Sequence, residues 1–332
     1  MRPEHVSLLA CPRTKRPLVL EVAASAGERI REGQLVEPVA GTVYPIVDFI
    51  PRFVPADNYA SSFGFEWTVH SRTQHDSYSG FPVSRNRFER ETKWGADLHG
   101  ELILEAGCGS GRFTEAALAT GATVVAFDYS KAVDQNYRWH GHDERLLLVQ
   151  ASIFEMPFRP ASFDRAFCFG VLQHTPEPRA AFMHLVEQLK PGGWFASDVY
   201  ARDLVHWLLH PRYWVRPLVR GMPPEKLYRA TCGYVDRMWP LARLVGRIPR
   251  IGHSLNWRLV IADHSRNLPG APDAVLKEWA YLDTFDMLSP AYDFPQTLRT
   301  FRRWHAEAGL TDIEVHYGFN GIEGRGRRPL AG

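Results

Sequence analysis

Between residues 101 and 200 short apolar runs alternate with amphipathic stretches. ELILEAG, TVVAFD, LLLVQAS, FDRAFCFG and WFASDVY are mostly continuous apolar runs rather than strict alternations, as expected of strands covered on both faces. Helices are expected between them, beginning near Gly111, Lys131 and Pro176, with Thr175 and Pro176 as N-cap and first helical residue. The turn KPGG, 190–193, is expected to end the last of these helices and lead into the fifth strand. Strand and helix in regular succession predict a parallel sheet wound with crossover helices.

The rhythm changes on either side. Residues 1–56 carry short β-like runs, PLVLEV and TVYPIVDFI, and read as a small β-rich module. Residues 57–100 are aromatic and polar, with helical stretches at FGFEW and RNRFERETKW, and read as a helical lid. Residues 201–291 hold five of the ten tryptophans, nine of the 24 prolines, and eleven Arg plus two Lys against eight acids, so they read as a helical cap with its own role. PQTLRTFRRWHAEAGL then predicts a helix ending at Gly309, and TDIEVHYGF a further strand, which assigns 101–200 and 292–332 to one core. The fold expected is α/β: a Rossmann-like, mostly parallel seven-stranded sheet, with the N-terminal module and a helical insertion after strand five.

Composition narrows the function. At 45% hydrophobic and 23% charged, the 332 residues have the balance of a globular protein, and a net charge of +2 gives no global basic excess that would point to nucleic acid. Cys11, Cys108, Cys168 and Cys232 are scattered, with no CxxC pair, and are expected to be reduced thiols with no metal bound. The N-terminus lacks an apolar signal segment and no run is long enough for a membrane span, so a cytoplasmic protein is expected.

The chemistry concentrates after the first core strand. LILEAGCGSGRF places Glu105 ahead of Gly107, Gly109 and Gly111, and Asp128 ends the next strand. Glycines let the backbone turn tightly and approach a ligand, and an acid at the second strand tip can accept from two ribose hydroxyls. The spacing is GxGxG rather than the GxGxxG of a pyrophosphate-binding turn, which argues against a nicotinamide-dependent oxidoreductase.

This arrangement resembles motif I of class I S-adenosylmethionine-dependent methyltransferases. The resemblance continues through VVAFDYS, QASIFEMPF, SFDRAFCFGVLQHTPEP and LKPGGWF in the family's order, across 101–200. It implies S-adenosylmethionine as cofactor, held by Glu105, Gly107, Cys108, Gly109, Gly111 and Gly170, with Asp128 on the ribose, Tyr129 flanking the adenine, and Ser152 with Ile153 at the adenine edge. Ser152 stands where the family often has an acid. His174, just after the fourth strand, lies where the family places groups near the transferred methyl, and its chemistry suits proton removal. The flanks FGFEW, DSYSGFPVSRNRF, LDTFDMLSPAYDFPQT and GFNGIEGRGRRP resemble a bacterial methyltransferase subgroup. They imply a lid bearing Trp67, Tyr78 and Arg85, with Arg85 or Arg87 pairing the cofactor carboxylate.

LLACPRTKRPL and GTVYPIVDFIPRF resemble the zinc-knuckle module that accompanies several methyltransferases, but Cys11 stands alone, Thr14 fills the second position, and Glu37 and Ala40 replace the later pair. One thiolate cannot make a structural zinc site, so a metal-free module is expected, serving as a homodimer contact or a substrate wall. Asp283, Asp286, Tyr292 and Asp293 are candidates for a polar substrate site. The cap's Arg and Trp content suits an anionic or lipid-like substrate, a membrane surface, or simply a packed helical cap. The reading is methyl transfer to a small molecule, a metabolite, sugar or natural-product intermediate. The alternative is a catalytically silent methyltransferase-like scaffold.

Overall fold

The computed structural model describes residues 1–55, 58, 60–202 and 210–330. The expected boundary at 56/57, residues 203–209 of the expected cap and the last two residues of the core lie outside that set. Four antiparallel strands in the order β1 (Val19–Ala26), β2 (Arg29–Glu37), β3 (Thr42–Val47) and β4 (Ile50–Pro51) make the N-terminal module. Hydrogen bonds close its two turns. Cys11 Sγ lies 3.3 Å from the Tyr44 hydroxyl, and the fully buried Glu37 carboxylate accepts from the backbone N–H of Ala40 at 2.6 Å and of Val39 at 3.3 Å. Among the described residues no group of three or more His, Cys, Asp or Glu could hold a metal ion.

Helices α1 (Ser61–Val69), α2 (Asp76–Ser79) and α3 (Val83–Thr92) lead into the core. There β5 (Leu102–Ala106), α4 (Arg112–Leu118), β6 (Thr123–Asp128), α5 (Val133–His140), β7 (Leu146–Gln150), β8 (Phe163–Cys168), α6 (Pro178–Glu187) and β9 (Leu189–Val199) form the wound unit. The cap helices α7 (Arg212–Val219), α8 (Pro224–Gly246), α9 (Gly252–Arg258) and α10 (Asp273–Asp286) follow the fifth core strand. Helix α11 (Leu298–Glu307), β10 (Thr311–Gly318) and β11 (Gly321–Arg327) complete the sheet. No helix of the described residues is long and apolar enough to cross a membrane.

The seven strands run in the order β10-β11-β9-β8-β5-β6-β7, parallel from β9 to β7, with β11 antiparallel to both of its neighbours. Strand order reverses between β5 and β8, which opens a crevice at their carboxyl ends. The N-terminal module caps the β7 edge: Arg52 pairs with Gln150 in parallel fashion, and Phe53 N–H donates to the Gln150 carbonyl at 2.9 Å. Covering the edge in this way removes a row of unpaired backbone groups.

Three local expectations shift. Helix α6 begins at Pro178 with Glu177 as N-cap, not at Pro176, because the Thr175 hydroxyl donates at 2.8 Å to the Leu172 carbonyl and so closes the preceding turn. KPGG does not precede β9 but lies inside it, and the left-handed Gly192 is held where its N–H donates to the Arg328 carbonyl at 2.9 Å. Strand β11, GIEGRGR, has no apolar alternation, yet five of its seven residues are buried. Gly324 faces α11, where a Cβ would stand 2.5 Å from His305 Cε1, so glycine is what lets helix and strand meet. On its other face the buried Arg325 pairs with Glu314 and donates to the Glu91 carbonyl.

Lid and cap share their apolar contacts. Val83 of α3 joins Val235, Trp239, Leu276 and Trp279 in one cluster, and Phe65 of α1 packs with Tyr228, Phe285 and Leu227 in another. Each fully buried large apolar side chain stabilises such a cluster by about 1.5–3 kcal/mol. Inside the core, Glu105 on β5 accepts from Thr114 Oγ1 of α4 at 2.6 Å. Burial pushes its carboxyl up to about 8 despite that hydrogen bond.

Two measurements follow from this packing. Gly324→Ala should cost about 1–3 kcal/mol in urea unfolding, since the side chains facing it are fixed in the core; an unchanged midpoint would mean that α11 gives way freely. Glu105 ionises near 4.5 when unfolded and near 8 when folded, so its contribution to stability is complete below the first value and is lost as pH climbs through the second. Glu105→Gln should therefore gain stability relative to the parent between those two pH values and level off above them. A pH-independent difference would contradict the burial argument.

Candidate active site

At the carboxyl ends of the strands, loops, lid and cap enclose a cavity of about 680 Å³. Its floor is the turn after β5. Gly107 and Gly109 take φ of +73° and +51°, which favours glycine, and the N–H groups of Gly107 and Cys108 both donate to the Phe127 carbonyl, at 2.8 and 3.0 Å. A Cβ on Gly107 would meet Val171 Cγ2 at 2.3 Å, and one on Gly109 would meet Trp67 Nε1 at 3.1 Å. The two glycines thus bring bare backbone to the cavity between a strand loop and the lid.

Asp128, at the tip of β6, is fastened to that turn. Its Oδ2 accepts from Gly109 N–H at 3.0 Å, and its Oδ1 from the Ser130 N–H and hydroxyl at 2.8 and 2.7 Å. A carboxylate has about four acceptor sites, so it keeps capacity for a ligand hydroxyl. Desolvation raises its pKa, against those hydrogen bonds.

Of the residues singled out in the sequence, Gly107, Cys108, Gly109, Asp128, Tyr129, Ile153, Gly170 and His174 all line this cavity. Three do not. Glu105 lies beneath the turn, bonded to Thr114. Gly111 sits where a Cβ would strike Asn136 Oδ1 at 2.5 Å, so it serves the contact between α4 and α5. Ser152 turns its hydroxyl back to accept from the Phe154 N–H at 3.2 Å. From the lid, Trp67 and Arg87 reach the cavity, whereas Tyr78 is exposed beneath the Arg72 guanidinium and Arg85 pairs with Glu89 at 2.8 Å on the surface. Asp283 and Asp286 line the cavity; Asp293 instead pairs with Arg216 at 3.0 Å.

Several lining residues were not picked out as site residues in the sequence. Arg112, the first residue of α4, donates to the Gln74 side-chain carbonyl and, at 3.2 Å, to Ser84 Oγ, but pairs with no carboxylate among the described residues. Desolvation, and then the neighbouring Arg87, push it down to about 10, so it stays a cation in want of an anion at neutral pH. Arg87 by contrast is already engaged by Glu91 and Asp198. Tyr200, Arg212, Trp257 and Trp279 come from the cap side. The only prior signal for Arg112 was its place directly after the glycine turn.

Beyond Gln74 the wall is acidic and aromatic. Glu66 of α1 is 1% exposed and its Oε2 has no hydrogen-bond partner; burial, then Asp286 and Asp283, raise its pKa well above the usual carboxylate range. Asp286 accepts from the Tyr200 hydroxyl at 3.2 Å, and Asp283 pairs with His264. His174 lies between the ring of Phe63, 5.4 Å away, and that of Tyr200, 5.3 Å away. Its Nδ1 is 3.0 Å from the Tyr292 carbonyl, which can only accept, so the bare nitrogen of the neutral ring is Nε2, buried with no partner.

These residues fit the cofactor that the turn implies: bare backbone, an acid at the second strand tip, and an unpaired guanidinium for a carboxylate. Comparison with known proteins agrees. Residues 104–197 match the family model described as a methyltransferase domain. Among curated proteins, ubiquinone biosynthesis O-methyltransferases of Idiomarina loihiensis and Xylella fastidiosa are 33% and 32% identical over 147 and 130 residues. Those alignments cover 40% and 37% of this chain, and the chain spans only 60% and 53% of the relatives' lengths. Among solved structures, phosphoethanolamine N-methyltransferase 2 of Haemonchus contortus, with S-adenosylmethionine, is 18% identical at a TM-score of 0.39, covering 70% of this chain and 38% of that one, a likeness too distant to argue from. Residues 104–197 thus match a methyltransferase domain, set in a sheet of order β10-β11-β9-β8-β5-β6-β7.

Proposed function

We propose that the whole chain is a methyltransferase that transfers the cofactor's methyl group to a hydroxyl of a small molecule bound between the glycine turn and the cap, with His174 Nε2 taking the acceptor's proton. The observation that carries this reading is that one cavity holds the glycine turn, Asp128, the unpaired Arg112 and the bare, buried Nε2 of His174. In this reading Asp128 accepts from the ribose hydroxyls, Tyr129 and Ile153 flank the adenine, and Arg112 takes the amino-acid carboxylate. When bound, the cofactor supplies an electrophilic methyl on a sulfonium sulfur, open to in-line displacement. The oxygen acceptor is supported by the relatives, whose names are those of O-methyltransferases.

The chain's own part is positioning and proton removal. The Tyr292 carbonyl fixes the His174 ring through Nδ1, so Nε2 presents its lone pair. The Tyr200 ring, whose hydroxyl donates to Asp286, packs edge-on against that ring. Lid helix α1 and the cap exclude water through their shared apolar cluster, and aligned reactants in a dry site can account for about 7–11 kcal/mol of a barrier. Glu66 with Asp283 and Asp286 gives the acceptor a polar wall that joins Arg112 through Gln74, which accepts from Arg112 and donates to Asp283 Oδ1 at 3.1 Å.

Titration calorimetry with S-adenosylmethionine, S-adenosylhomocysteine and NADH in parallel should give binding of the first two and none of the third. Asp128→Ala should abolish adenosyl-ligand binding; unchanged affinity would undo the ribose assignment. Once an acceptor is known, His174→Ala should lower kcat by about a hundredfold or more while leaving S-adenosylhomocysteine affinity unaltered, as loss of a general base does. A kcat within a few-fold of the parent would leave His174 a loop-holding residue. Cofactor binding without transfer to any hydroxyl compound would favour the scaffold alternative.

A further inference from the structure

The cap carries an outer surface that the methyl-transfer reading does not use. Of the twenty large apolar side chains that are exposed among the described residues, nine fall between Trp214 and Ile251. On α8 they form a stripe. Leu227, Val235 and Trp239 face inward, while Tyr234, Leu241 and Leu244 face out, seven and three residues apart on one side of the helix, and Ile248 and Ile251 continue the stripe past its end. Leu244 is 62% and Ile251 56% exposed.

Basic charge dominates this surface, and its one acid between Tyr234 and Ile251, the exposed Asp236, is paired with Lys277 at 2.7 Å. From 237 to 251 the sequence RMWPLARLVGRIPRI contains four arginines and no acid. Arg243 pairs with Asp273 at 2.9 Å, whereas Arg237, Arg247 and Arg250 are exposed and form no ion pair among the described residues. The preceding helix α7 repeats the pattern, with Leu218 82% and Trp214 61% exposed beside the exposed Arg220. Large aliphatic groups from Leu241 to Ile251, ringed by arginines without ion pairs and with no acid among them, complement an apolar phase beneath a layer of negative charge.

We propose that the outer face of α8 and the turn after it, Tyr234 to Ile251, docks on an anionic lipid bilayer. Leu241, Leu244, Ile248 and Ile251 enter the headgroup boundary, and Arg237, Arg247 and Arg250 meet lipid phosphates. An acidic protein would supply the charge but not a fluid apolar layer for four separate aliphatic tips, and a second copy of this chain would set arginine against arginine. The surface also lies close to the cavity: Ile251 immediately precedes α9, whose Trp257 lines it. Docking there holds the cap mouth at the membrane surface, where a lipophilic acceptor is most concentrated.

The test is co-sedimentation of the full chain with vesicles of phosphatidylcholine alone and with phosphatidylglycerol added. Binding is expected to the anionic vesicles only, and to fall as salt is raised. Near a charged surface each basic residue contributes about fivefold to partitioning, so R247E/R250E should weaken it by at least about tenfold. L244E/I251E should weaken it comparably while leaving thermal unfolding and S-adenosylhomocysteine binding unaltered, because all four side chains are exposed. Equal binding to neutral vesicles, no binding to either, or partitioning indifferent to both double variants would overturn the proposal. So would a dimer in light scattering that L244E/I251E dissociates, which would assign the face to a second copy. None of these outcomes bears on adenosyl-ligand binding, so failure here and failure of the methyltransferase reading are distinguishable.

Discussion

The site depends on one joint, where the ends of β5 and β6 are tied together. The Phe127 carbonyl receives two N–H groups from the glycine turn, and Asp128 reaches back to a third, on Gly109. Three consecutive positions, Gly107 to Gly109, and Asp128 are thereby fixed relative to two buried strands, at little entropic cost on binding because they are already ordered. Side chains at Gly107 or Gly109 would collide with Val171 or crowd Trp67, so the joint also sets how closely the β8 loop and the lid can approach. Through those two contacts the position of the turn determines the shape of the cavity.

A second constraint links lid to sheet. Arg87 of α3 is buried between Glu91 on its own helix and Asp198 at the end of β9, and Asp198 also accepts from Gly170 N–H on the cavity wall. Burial pushes Glu91 up to about 8 even with Arg87 beside it. Such a buried pair is weak evidence for net stability, since desolvation consumes most of the attraction, but breaking it leaves a charge stranded. Its structural effect is to register the lid against β9. That leaves Arg87 occupied, while Arg112, like Arg212 on the cap side, faces the cavity with no ion pair among the described residues. Arg87 and Arg112 are 25 residues apart in the chain and converge only in the fold.

The cap serves two surfaces at once. Its inner side, through Trp279, Trp257 and Asp283, closes the cavity, and its outer side presents the arginine-ringed stripe of α8. High tryptophan and arginine content in 201–291 reflects both demands. Trp239 and Trp279 bury large areas in a thin helical layer, while Trp214, Arg237, Arg247 and Arg250 lie on its outside.

Local pattern alone determined the parallel core, since runs such as LLLVQ are apolar enough to be buried on both faces and so admit few other arrangements. It also determined the glycine turn and its acid, because spacing on a strand end is a local property, and the helix from Leu298, which Thr297 caps through the Thr300 N–H. What sequence could not determine depends on neighbours remote in the chain. Strand β11 is invisible in GIEGRGR because Gly324 answers to α11, and Arg325 to Glu314 and Glu91. Ser152 looked like a ligand group until its own turn claimed the hydroxyl, and Gly111 proved to be a packing glycine between two helices. His174 was legible as a candidate, but which nitrogen of its neutral ring stays free is selected by the Tyr292 carbonyl, 118 residues away. Tertiary structure decided these points because a side chain's chemistry is set by which partners remain to it once packing has assigned the rest.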